Sequence, residues 1–162
     1  MLEIGRLPAD RWEDYRDLRL EALGSEPRAF GSSPEDETSL TEGEWKRRIG
    51  STLFALQAGK PIGMIVILFN DRPKTRHVAN VFGFYVSRGH RGKGIGTKLL
   101  DGALRLARED GRIVKVSLTV NPEQRAAVEL YKRAGFVVVG RMRDELKVGR
   151  RFFDELMMEK LF

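Results

Sequence analysis

The twenty residues from 81 to 100, VFGFYVSRGHRGKGIGTKLL, constrain this chain more than any other stretch. They read as a strand that runs through a glycine-rich turn directly into a helix. Val81 to Val86 is rich in aromatic and β-branched side chains, which suit a pleated, buried surface. Glycine then stands at 89, 92, 94 and 96. Lacking Cβ, it admits left-handed backbone angles and lets a ligand approach the main chain closely. Leu99, Leu100, Ala103, Leu104 and Ala107 recur at helical spacing, so the amides of the turn fall at a helix N-terminus, where unpaired N–H groups attract phosphate. The stretch predicts a pyrophosphate cradle, although an ordinary strand-to-helix turn would carry the same glycines.

Spacing excludes two kinds of phosphate loop. A dinucleotide fingerprint needs G-x-G-x-x-G, but Thr97 stands at the sixth position counted from Gly92 and Leu99 at the sixth counted from Gly94. A nucleoside-triphosphate loop needs Gly, four residues, then Gly-Lys-Ser/Thr. Gly89 precedes Gly94 by that interval, yet Ile95 follows where lysine is required. What is left, Arg91-Gly92-Lys93-Gly94-Ile95-Gly96, resembles the Q/R-x-x-G-x-G/A motif of the GNAT superfamily of acetyl-CoA-dependent N-acetyltransferases.

Composition narrows the setting. A chain of 162 residues fits a single domain, 1–162, since domains most often run to roughly 100–150 residues. There is no cysteine, hence no disulfide framework, thiolate nucleophile or cysteine metal site, and His77 and His90 have no metal-ligand spacing. His90 reads as exposed and His77 as a strand end. The N-terminus lacks an apolar signal core and the longest apolar run, Ile62 to Phe69, is far shorter than a membrane span, so a cytoplasmic protein is expected. The net charge of +6 admits a polyanionic partner. Arg88, Arg91, Lys93 and Lys98 crowd the glycine turn, where coenzyme A phosphates would account for them, whereas Lys132, Arg133, Lys147, Arg150 and Arg151 read as a solvated face. No aromatic and basic surface pattern supports nucleic acid.

Taken in order, Leu2 to Gly5 suggests a short strand. Asp10 and Glu13 form a capping-box pattern before a helix with Trp12, Tyr15, Leu18 and Ala22 on one side, ending near Gly24. The segment SEPRAFGSSPEDETSL reads as a loop anchored by Phe30. Thr41 and Glu44 cap a second helix carrying Trp45 and Ile49. Thr52 to Ala58 and Pro61 to Phe69 read as a hairpin about Gly59-Lys60, and His77 to Val86 as the next strand. Beyond the helix from about Gly96 to Glu109, Ile113 to Val120 alternates with Val114, Val116 and Leu118 on one face, in a right-handed parallel crossover. Glu123 to Ala134 forms a helix with Ala127, Leu130, Tyr131 and Ala134 as a stripe, closed by Gly135. Phe136 to Met142 and Arg151 to Lys160 pair across a charged loop from Arg143 to Arg150. The expected fold is α+β: a mixed, mostly antiparallel sheet of seven strands with four helices.

This order resembles the GNAT fold over nearly the whole chain. Asn121, Ala126, Leu130, Tyr131, Gly135 and Phe136 fall in the family's N-x4-A-x3-L-Y-x3-G-F stretch, and Asp154, Met157 and Met158 resemble its closing strand. The Phe30 to Ser33 loop is similar to that of small bacterial members. The resemblance implies acetyl-CoA lying where the fourth and fifth strands splay, around Tyr85, Val86 and Ser117 to Val120. Its pyrophosphate would sit on the amides of Arg91, Gly92, Lys93, Gly94, Ile95, Gly96 and Thr97, with Val86 guiding the pantetheine arm and an amide near Tyr85 stabilising the oxyanion. Tyr131 would protonate the leaving thiolate, tyrosine titrating near 10 and a thiol near 8.5. By periodicity alone Tyr131 is equally a core residue, and Asn121 before proline either caps the next helix or touches the cofactor.

The acid that several family members carry on the fourth strand is missing from His77 to Val86; Asn80 could at most orient a water. Glu35, Asp36, Glu37 and Glu155 are the alternatives, and the general base stays unassigned. The resemblance implies transfer of acetyl to a primary amine of a small molecule or peptide in a ternary complex, without metal, nucleic acid or membrane, and it leaves room for a homodimer. A non-catalytic module that senses acyl-CoA is the rival reading.

Overall fold

The alternating segments assemble into one seven-stranded sheet in the computed structural model, which describes residues 1–162. Its strands are β1 (Leu2–Gly5), β2 (Thr52–Gln57), β3 (Lys60–Phe69), β4 (Val78–Val86), β5 (Lys115–Val120), β6 (Val137–Val148) and β7 (Arg151–Leu161), in the spatial order β1-β2-β3-β4-β5-β7-β6. Every neighbouring pair is antiparallel except β4 with β5. The helices are α1 (Trp12–Ser25), α2 (Pro34–Glu37), α3 (Glu42–Ile49), α4 (Ile95–Asp110) and α5 (Arg125–Arg133).

The expected α+β architecture is present, with local corrections. There are five helices rather than four. The extra one, α2, lies inside the segment read as a loop, because its serine and proline are start signals as well as breakers: Pro34 is the first helical residue and the Asp36 carboxylate accepts the Ser33 amide at 2.8 Å. Asp10 caps nothing; residues 9–11 form a 3-10 turn, and Asp14 instead accepts from Arg11 Nε at 2.7 Å. The Thr41–Glu44 box forms as expected, with Thr41 N donating to Glu44 Oε2 at 2.7 Å. Residues 143–148 continue β6 rather than forming a loop, since an edge strand facing water accommodates charge; only Gly149 and Arg150 make the turn. Val114 precedes β5 and is exposed, while Val116 and Leu118 are buried.

Two apolar layers sandwich the sheet. On one face α4 and α5 pack Leu99, Leu100, Ala103 and Val128 against Ile65, Ala79, Val81 and Val116. On the other, α1 and α3 pack Tyr15, Leu18, Leu23, Trp45 and Ile49 against Phe54, Met64 and Tyr85. A bulge in β4 decides which side Tyr85 joins. Met64 faces Tyr85 and Val66 faces Phe82, so β4 carries one residue more than β3 there, and Gly83 takes φ +55°. The extra residue reverses the alternation: Ala79 and Val81 point toward α4, whereas Tyr85 points toward α1. On its other edge β4 pairs with β5 only at Val78–Lys115, Ala79–Val116 and Asn80–Ser117. From there to Val86 and Val120 the strands part.

α2 is held down by a buried ion cluster. The Glu37 side chain, 3% exposed, accepts Arg19 Nε and Nη2 at 2.9 Å each and Arg48 Nη1 at 3.0 Å. Burial pushes the Glu37 carboxyl up, but the Arg19 bonds and the charges of Arg19 and Arg48 outweigh it, so it lies below the usual carboxylate range. Removing the carboxylate strands a half-buried guanidinium, so Glu37→Ala should cost about 3 kcal/mol in urea unfolding. Because the folded-state pKa is depressed, the stabilisation is full above the ordinary carboxylate value and is lost as pH falls through the lower folded one. Glu37→Gln should therefore lose less stability than the parent between about pH 5 and pH 3.

Candidate active site

The turn after β4 ends on Gly94 at φ +76°, ψ 8°, the residue that opens α4, with Gly92 also at φ +76°. Both are left-handed, and a Cβ built on either would meet nothing within 4 Å, so the main chain here borders open space. The first backbone bond of the helix is Lys98 N to Gly94 O at 3.2 Å. None of the six amides from Gly92 to Thr97 donates to a backbone carbonyl elsewhere in the fold. Six unpaired donors in a row at the positive end of a sixteen-residue helix are the kind of arrangement that attracts an anion.

The charges around the turn are arranged differently from their sequence reading. Arg91 Nη1 and Arg88 Nη2 reach Glu26 Oε1 at 3.0 and 3.3 Å, Arg88 Nη2 donates to Ser25 O at 2.7 Å, and Arg91 Nε donates to Val86 O at 2.8 Å. These guanidinium groups fasten the turn to the end of α1. Glu26 is a residue that sequence reasoning missed: it lies more than sixty positions from either partner, and no local pattern marks it. The Tyr85 hydroxyl shares a hydrogen bond of 3.0 Å with Ser25, and Arg91 lies 5.5 Å above its ring.

From the turn a cleft of about 430 Å³ runs between the parted ends of β4 and β5. Tyr85, Val86, Arg91, Gly92, Gly94, Ile95, Gly96, Thr97, Asn121 and Tyr131 all line it; the side of Lys93 does not. Asn121 is 2% exposed and already engaged: its Oδ1 accepts the Glu123 amide at 2.9 Å and its Nδ2 donates to Arg28 O at 3.3 Å, so it ties the end of β5 to the segment after α1. Gln124, not Asn121, precedes α5. His90 is half-buried rather than exposed, with its Nδ1 sealed from solvent and unpaired.

Tyr131 projects from α5 with its ring edge-on to Phe84 and Phe136, centroids 5.9 and 5.7 Å away. It is a core residue and a cleft residue at once. Its hydroxyl makes no hydrogen bond within the protein and is not among the sealed polar atoms, so it opens into the cleft. Burial pushes its pKa well up, which keeps the hydroxyl protonated throughout the physiological range.

A second cavity of about 440 Å³ adjoins the first, sharing Phe30, Val81, Phe82, Gly83 and Thr119 as a common wall. Of the acids considered as bases, only Glu155 lines it. Asp36 is engaged with Ser33, Glu35 is exposed and Glu37 is held by two arginines. Asn80 donates to Asn70 Oδ1 at 3.0 Å and lines neither this cavity nor the cleft. Burial, and then Glu145, push the Glu155 carboxyl up, against a hydrogen bond with Thr119.

A family model described as acetyltransferase (GNAT) family matches residues 12–136. The chain belongs to the GNAT acetyltransferase family. An uncharacterised N-acetyltransferase of Methanocaldococcus jannaschii is 39% identical over 80 residues, which are 48% of this chain and 35% of that protein. The chain thus spans about a third of that relative's length. The structure of a GNAT-family acetyltransferase from Streptococcus pneumoniae superposes with a TM-score of 0.88 at 26% identity, over 100% of both chains. A Salmonella typhimurium acetyltransferase solved with its cofactor acetyl-CoA shares the fold at a TM-score of 0.85 and 17% identity, over 99% of this chain and 94% of that one. The seven-stranded architecture is therefore the GNAT fold. No group of three or more His, Cys, Asp or Glu is gathered as for a metal ion, and no helix is long and apolar enough to cross a membrane.

Since a Cβ at Gly94 meets no atom, the cost of Gly94→Ala should come from backbone conformation alone, about 1–2 kcal/mol for a left-handed residue in urea unfolding.

Proposed function

We propose that this GNAT protein moves an acetyl group from acetyl-CoA to a primary amine by direct attack in a ternary complex. The observation that carries this reading is the row of unpaired amides from Gly92 to Thr97, opening on a cleft that passes between the splayed strands to Tyr131. The residues fit the cosubstrate. The open space beside Gly92 and Gly94 accommodates phosphate oxygens against main-chain donors. Arg88 and Arg91 are both tied to the one carboxylate of Glu26, so in this reading the amides hold the pyrophosphate and those guanidinium groups leave one net positive charge beside it. The unpaired edge of β4 beyond Asn80 borders the pantetheine path.

Acetyl-CoA supplies an activated acyl group as a thioester. The protein supplies the rest. A backbone amide of β4 near Tyr85, preorganised by the bulge, opposes the negative charge that develops on the carbonyl oxygen. Tyr131 holds a proton at its hydroxyl for the departing sulfur. Burial raises the tyrosine, and the same apolar walls penalise a thiolate, so the thiol is raised in the same direction.

Isothermal titration should show acetyl-CoA binding at micromolar concentration without added metal, and Gly94→Glu should abolish it by placing a carboxylate over the amides. Tyr131→Phe should lower kcat about 100-fold while leaving the acetyl-CoA Kd unchanged, as expected for loss of a general acid. Unchanged turnover removes the acid assignment. Binding without thiol release on any amine identifies a non-catalytic acyl-CoA-sensing module instead.

A further inference from the structure

The second cavity carries both signs of charge at separate places. Its volume, about 440 Å³, suits a small molecule. At one side stand Arg19 and Arg48, both of them lining, with the single carboxylate of Glu37 behind them and almost wholly buried. Two guanidinium groups against one carboxylate leave one positive charge unneutralised. Arg19 spends Nε and Nη2 on Glu37, so its Nη1 is the nitrogen left over. That Nη1 lies 3.2 Å from where a Cβ on Gly83 would stand, at the bulge that walls both cavities. At another side Glu155, 9% exposed, sits beside Thr119, which also walls both cavities. Phe30, Phe82 and Tyr15 supply apolar surface.

We infer that this cavity is the acceptor site and that it selects a small zwitterionic amine, an α-amino acid, whose carboxylate is read by Arg19 and Arg48 and whose ammonium is held and deprotonated by Glu155. The inference rests on the acetyl-transfer reading above. An amine bound only by its nitrogen would leave the spare guanidinium donors unmet, whereas a carboxylate at the mouth of Arg19 and Arg48 completes a charge-assisted pair. The walls shared at Gly83 and Thr119 put the amine next to the cleft that takes the acetyl group. Burial raises the Glu155 carboxyl above its ordinary value, which makes the carboxylate a stronger proton acceptor. In the transfer, the acceptor nitrogen bonds to the acetyl carbon as the carbon–sulfur bond breaks. The sulfur keeps the bonding pair and takes the Tyr131 proton. The first ammonium proton passes to Glu155 and on to water, and the second, shed as the amide forms, restores Tyr131.

The test compares L-phenylalanine, L-leucine and L-glutamine with their C-terminal amides, which keep the amine and lose the carboxylate. Thiol release at saturating acetyl-CoA should favour at least one acid over its amide at least tenfold in kcat/KM. Arg48→Gln, which leaves Glu37 its two bonds from Arg19, should bring that ratio close to one by weakening the acid alone. Glu155→Gln should lower kcat for acid and amide alike with the coenzyme A Kd unchanged. Calorimetric titration of the same amino acids into protein preloaded with coenzyme A should show the same preference as binding. Amides used as well as acids, or a ratio unmoved by Arg48→Gln, overturn the amino-acid reading and leave acetyl transfer standing. No acetyl-CoA binding at all sinks the transfer reading, and calorimetry with the amino acids then decides the cavity separately. Failure of all three acids to bind or react overturns it.

Discussion

Two edges of β4 conflict, and the rest of the site depends on that conflict. Toward β3 the strand is committed to a ladder that runs almost its whole length, and the bulge at Gly83 is absorbed within it. Toward β5 only three residue pairs form. A bulge inserts an extra residue and increases the local twist, so the far half of β4 turns away from a partner already bound to β7 along six consecutive pairs. The resulting gap is bordered by backbone groups that no strand satisfies. Buried main-chain donors and acceptors without partners are costly, which makes the cleft a place where an extended, amide-bearing ligand gains by binding.

The same bulge reverses side-chain alternation. It sends Tyr85 to the α1 layer, where Ser25, Phe30 and Arg91 surround it, and leaves Phe84 against Tyr131 on the other face. One inserted residue thus couples the glycine turn, the end of α1 and the tyrosine on α5. Arg88 and Arg91 strengthen the coupling through Glu26. In consequence the chain's net positive charge is a poor guide to its ligand chemistry. Of the basic residues near the turn, the two arginines are tied to one carboxylate, and the unpaired donors that line the turn are neutral main-chain amides.

Much of this was legible in the residues themselves. The strand, glycine turn and helix from Val81 onward, the Thr41–Glu44 cap and the stripe of α5 rest on local rules, so each forms where the pattern puts it, while the hairpin turns one residue early, on Ala58-Gly59 rather than Gly59-Lys60. The misreadings share one cause: a local signal with two physical outcomes. Ser33-Pro34 can break a helix or begin one, and here Asp36 completes the cap. A run of charges from Arg143 to Arg150 can be a loop or an edge strand, and here pairing with β7 decides for the strand. Asp10 had the spacing of a cap but not the backbone conformation.

For the site the division follows sequence distance. The sequence by itself determined the row of amides, because glycines at fixed offsets and a following amphipathic helix are enough to leave donors unpaired at a helix start. It also determined that Tyr131 sits on the buried stripe of its helix. Only the tertiary structure decided what those groups face. Glu26 meets its arginines across more than sixty residues, Arg19 meets Glu37 across eighteen, and Glu155 reaches the second cavity only because β7 lies next to β5. No periodicity encodes such meetings; they follow from strand order and from a bulge whose extra residue shows only in the register of two paired strands.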